Sequence, residues 1–190
     1  MPETSSVVAW SDLIVPILLS AVLIFVASSL IHAVLKLHNG EFRKLSNEEE
    51  VRAVLRKGGV SQGMYITPHC HEGKMTPEFM KKFEEGPNTV IYVRPTKVNM
   101  GVFLGKWFAY TVVVSLIAGY VARAVLHPGA SYLQVFQVVG VTSWLAYAWQ
   151  GPSDSIWAGK PWRSTIGAML DGLLYACLTA GAFGWRWPHA

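Results

Sequence analysis

The chain has 190 residues, 52% hydrophobic and 15% charged, with positive mean hydropathy and a formal charge of +4. This balance is too apolar for a soluble domain, and the length is too small for a large transporter. One helical bundle plus one small aqueous portion fits, and the excess positive charge is placed as membrane orientation requires rather than as a nucleic-acid surface.

Residues 1–35 make an amino-terminal segment and a first span. Trp10 stands where an interfacial anchor belongs, and the apolar window Leu13–Leu35 follows, with Pro16 in its first turn. Ala27-Ser28-Ser29 loosely resembles a signal cleavage site. The preceding segment has Glu3 and Asp12 but no Lys or Arg, and the apolar run is long, so a retained anchor is expected.

Residues 36–100 turn polar, with eleven basic and eight acidic residues, and are read as a cytoplasmic α/β subdomain. Ser46 and Glu49 form a capping box for a helix over 47–57, ended by Gly58-Gly59. Thr76 caps a second helix over 77–85, with Pro77 at its first position and Gly86-Pro87 closing it. Residues 64–67 and 89–93 are the strand candidates. A subdomain this small buries little, so it is expected to lean on the bundle or on a partner.

Residues 101–190 hold three more apolar windows, Val102–Leu126, Ser131–Trp149 and Thr165–Trp185, each near the roughly 20 residues that cross about 30 Å of hydrocarbon. The third window of the chain is the weakest, because it carries Gln134, Gln137, Thr142 and Ser143. Charge supports it nonetheless. With the amino terminus outside, the two inner connections and Lys106 hold fourteen of the sixteen Lys and Arg residues, a positive-inside pattern that needs four crossings. Residues 151–164, with Ile156, Trp157 and Trp162 among charges, suit the headgroup layer. The expected fold is an all-α membrane protein: a four-helix transmembrane bundle with a small α+β cytoplasmic insertion between spans 1 and 2.

The last span is the most informative. Ala168, Gly172, Ala176, Ala180 and Gly184 recur every fourth position, and Asp171, Tyr175 and Thr179 form a parallel polar row. A small-residue stripe beside a polar row is a face for a neighbouring helix, not for lipid. Ser115 with Gly119 and Ala118 with Ala122 repeat the theme in the second span, a candidate packing mate. Asp171 costs about 2.5–3.5 kcal/mol inside a membrane on insertion scales, so a partner is expected for it. His32 lies at a similar depth and is one candidate; alternatively His32 reaches headgroup water. Asp171 then either fixes the bundle register through interhelical bonds or takes part in an ion path, for which Tyr175, Thr179, Gln134 and Gln137 are a thin inventory.

The stretch His69-Cys70-His71 has metal-ligand residue types, but closed sites draw ligands from two separated pairs, and no second pair follows in the aqueous portion. Haem would need axial ligands on facing helices, and the glycines of RKGGVSQG lack a following Gly-Lys-Ser/Thr. No metal, no cofactor and no catalytic residue is expected on this reading. Cys70 and Cys177 do not suggest a structural disulfide.

The segments AVLIFVASSLIH, YVRP with NMG, SIWAGKPW and DGLLYACLTAGAFGWRWP together resemble an uncharacterised family of bacterial four-span integral membrane proteins. The resemblance implies multi-pass placement in the bacterial inner membrane, with both termini on the periplasmic side, and supplies no catalytic residues. The reading therefore favours a non-enzymatic accessory or scaffold subunit, in contact with the bilayer and with other membrane subunits or copies of itself, and no nucleic acid. The alternatives are an ion or small-solute conduit using Asp171 and, third, a metal or redox site at His69-Cys70-His71.

Overall fold

The computed structural model describes residues 7–70, 73–97 and 99–189. The protein is mostly helical, in the order α1 (Trp10–Ser29, continued by a π-turn over Leu30–Val34), α2 (Glu48–Lys57), β1 (Gly63–Thr67), α3 (Pro77–Glu85), β2 (Thr89–Val93), α4 (Met100–Val125), α5 (Tyr132–Ala148), α6 (Gln150–Ala158) and α7 (Trp162–Arg186). It divides into a helical unit, residues 1–42 with 100–190, and a smaller unit, residues 43–99. Residues 36–42 thus group with the helices rather than with the polar segment that follows.

Three helices are long and apolar enough to cross a membrane: Trp10–Val34, Met100–Val125 and Trp162–Arg186. The fourth expected window forms α5, whose 17 residues reach about 25 Å at 1.5 Å per residue. Its start also corrects the sequence reading of Gln134. That side chain closes a capping box with Ser131, its Oε1 accepting from the Ser131 backbone N–H at 2.9 Å, so it serves the helix end and is no mid-span polar group.

α7 is the organising helix. It lies antiparallel along α5, and the small-residue stripe is what permits the approach. A Cβ on Gly172 would fall 3.0 Å from Ala148 Cβ, and one on Gly184 only 2.7 Å from the Tyr132 ring, while Gly140 of α5 faces Ala180. Ala176 and Ala180 are buried in the same interface. α1 packs on α7 and α4. The small face of α4 meets α1 more than α7: Ser20 and Ser115 hydroxyls bond at 2.9 Å across α1 and α4, and Gly119 clears space for Phe183 of α7. The main core is Leu13, Ile17, Ala118, Ala122, Val135, Val139, Ala180 and Phe183. At the same end Arg123, expected only to snorkel, donates to the Val8 carbonyl at 3.0 Å and sits 4.6 Å over the Trp10 ring.

The smaller unit keeps its expected elements. Thr76 Oγ1 accepts from Phe79 N–H at 3.2 Å, and β1 pairs antiparallel with β2, Tyr65 opposite Ile91. The capping box expected at Ser46 and Glu49 does not form. α2 starts at Glu48 behind Asn47, whose side chain makes no cap, and three first-turn glutamates favour that helix end through the dipole instead.

Candidate functional site

The chain leaves α1 in a way that builds a polar cluster. The π-turn over Leu30–Val34 widens the last turn, and Lys36 adopts a left-handed φ of 51° that folds residues 37–42 back. His38 is thereby stacked on His32, ring centres 4.9 Å apart and planes 19° from parallel. Both rings turn toward Asp171 of α7. His38 Nε2 lies 2.8 Å and His32 Nε2 3.9 Å from the same oxygen, Asp171 Oδ2.

The outer nitrogens of both rings are also held. His32 Nδ1 lies 3.0 Å from the Ser28 carbonyl, which only accepts, so this nitrogen carries a hydrogen. His38 Nδ1 bonds to Glu41 Oε1, and the Ser164 side chain is close enough to the same glutamate to favour its charged form. Gly167 of α7 makes the approach possible, since a Cβ there would meet His38 Cε1 at 3.4 Å and Glu41 Oε1 at 3.6 Å. The Glu41 bond, reinforced by the charge and bond of Asp171 against the opposing effect of burial, holds the His38 imidazole above its ordinary 6.5. In return the His38 bond, helped by Ser164 and by the charges of His38 and Lys160, holds Glu41 below its ordinary 4.5.

Beside this cluster is a cavity of about 650 Å³, walled by Trp107, Tyr110, Tyr147 and Tyr175 and reached by His32 and Asp171. The aromatic wall is continuous, with Tyr147 and Tyr175 rings 5.7 Å apart and Trp107 6.0 Å from Tyr175. Trp107 Nε1 donates to Ser28 Oγ at 2.9 Å. Tyr175 is 4% exposed, and its hydroxyl, like that of Tyr147, has no hydrogen-bond partner among the described residues.

No family model, no curated protein and no solved structure matches the chain.

Of the expected polar row, Asp171 is answered by neighbours and Tyr175 lines the cavity. Thr179 differs from expectation: its hydroxyl donates to the Tyr175 carbonyl of its own helix at 2.9 Å instead of reaching across. His32 lies 3.9 Å from Asp171, the partner expected for it, and its side chain is 55% exposed. His38 and Glu41 escaped the sequence reading because both follow the span and were assigned to the aqueous portion. The available signal was the His-x-x-Glu spacing directly after an apolar helix that already contains a histidine.

In the third candidate stretch, His71 lies outside the described residues. His69 borders a surface hollow with Thr76 and Lys82, and Cys70 is a free thiol. Among the described residues, the grouping with metal-ligand geometry is His32, His38 and Asp171, with ligand atoms within 4.8 Å of one another.

Proposed function

We propose that this chain is a four-crossing protein of the bacterial inner membrane that acts as a non-enzymatic accessory subunit, with both termini on the outer face. One observation carries the accessory role: no residue of α2, β1, α3 or β2 is buried. Val54, Met64, Ile66 and Phe83 all remain exposed in this unit, apolar surface that gains by being covered on a larger assembly. The fourth crossing rests on the charge split along the chain and on α5 lying beside α7 over its whole length. The resemblance to bacterial four-span proteins points the same way. Extraction from the native membrane in mild detergent tests the reading. A stable complex with another subunit, or a homo-oligomer, is expected; a monomer under all gentle conditions contradicts it.

A second reading, an ion or small-solute site at Asp171, is favoured by the cavity. Its lining stops at Tyr175 on α7 and Ser28 on α1, and beyond them Leu13, Ile17, Val135 and Phe183 fill the interior. That geometry suits a bound ion or solute better than a continuous path. Flux in reconstituted liposomes that is lost in Asp171→Asn would favour transport over the accessory role.

A further inference from the structure

We propose that His32, His38 and Asp171 bind a divalent first-row transition metal ion, zinc being the reference cation. Two imidazole nitrogens and one carboxylate oxygen are a ligand set such ions accept, and the three atoms lie within 4.8 Å of one another. The surrounding bonds are those of a metal site. Histidine ligands characteristically donate their other ring N–H to a carboxylate or a backbone carbonyl, which fixes the tautomer and aims the free nitrogen. Here Glu41 performs that role for His38 and the Ser28 carbonyl performs it for His32.

The distances are compatible with this role. Bonds of about 2.0–2.1 Å in tetrahedral geometry place ligand atoms about 3.3 Å apart. The two separations to Asp171 Oδ2, 2.8 Å from His38 and 3.9 Å from His32, bracket that value. The His32 and His38 nitrogens lie within 4.8 Å of each other, so binding draws the histidines together, and His32, 55% exposed, is the one less enclosed. Three protein ligands leave a coordination position open, and the neighbouring cavity, lined in part by His32 and Asp171 themselves, provides room for a water or a small anionic ligand there.

The test uses the full chain, purified in mild detergent with a tag free of histidine, stripped with chelator and titrated with Zn²⁺ and with Co²⁺. The expected result is one equivalent bound saturably, with Co²⁺ giving visible ligand-field bands. Asp171→Asn and His38→Ala should weaken binding on the order of 100-fold or more, and Glu41→Gln, a positioning change, by about 10–100-fold. His32→Ala guards against misfolding as the cause of loss, because His32 is half exposed and its removal leaves the His38–Asp171 bond in place; it too should weaken binding strongly. The double variant His69→Ala/Cys70→Ala should bind as the parent does. Absence of saturable binding by the parent, binding unchanged by His32→Ala, or binding lost in the His69/Cys70 variant would each overturn the proposal. None of these results depends on a partner subunit, so failure here leaves the accessory role standing.

Discussion

His38 and Asp171, separated by 133 positions in the chain, meet with Nε2 2.8 Å from Oδ2. The bond ties the segment after α1 to the middle of α7 and compensates a carboxylate placed inside an apolar helix. The first consequence concerns Asp171 itself. Asn retains an oxygen for His38 Nε2–H and should cost under about 1 kcal/mol, whereas Leu strands the histidine and should cost about 1–3 kcal/mol. Thermal unfolding of the detergent-solubilised chain, with gel filtration as a check on assembly, separates the two.

The helix contacts make a second prediction from three glycines. Gly184→Ala places a methyl 2.7 Å from the Tyr132 ring, and Gly172→Val drives side-chain atoms into Ala148 and the Tyr147 backbone. Each should lower stability by about 1–3 kcal/mol. Gly105→Ala has open space around it in the interior of α4 and should raise stability by about 0.5–1 kcal/mol. Melting temperatures of the three variants should shift in those opposite directions.

The His38–Glu41 pair predicts a pH window for the metal-free protein. His38 is raised from 6.5, so its contribution is complete below 6.5 and disappears as pH rises through the higher folded value. Glu41 is lowered from 4.5, so its contribution is complete above 4.5 and disappears as pH falls through the lower folded value. The segment over 37–42 should therefore be held most firmly between about pH 4.5 and 6.5. Imidazole NMR shifts of His38, followed against pH in parent and Glu41→Gln, check this: the variant should titrate at lower pH.

Topology gives a fourth prediction. Single cysteines at Pro128 and at Lys160, in a background lacking Cys70 and Cys177, flank α5. Four crossings require that a membrane-impermeant thiol reagent applied outside modify the first and spare the second. Equal labelling of both would mean that α5 does not cross.

The spans, the stripe on α7 and the strand pair are periodic or compositional features, and such features are local. Asp171 stood out because an ionisable group inside an apolar run is costly wherever its partner lies. Its main partner was hidden for a physical reason: a π-turn and a left-handed Lys36 return the chain on itself, and neither leaves a hydrophobic period. Thr179 was misjudged because a helical hydroxyl has a carbonyl of its own helix one turn back within reach, and here it takes that one. Gln134 was misjudged because hydropathy windows overlook capping geometry at the helix start.

The central claim is that the α7 carboxylate is held by the histidine that follows α1. A double-mutant cycle on His38→Ala and Asp171→Ala, read by thermal or chemical unfolding of the metal-free chain, measures it directly. The account predicts a coupling of about 1.5–3 kcal/mol, as for a hydrogen bond between charged groups. Effects that add to within about 0.5 kcal/mol would show that the two side chains do not interact, and would contradict it.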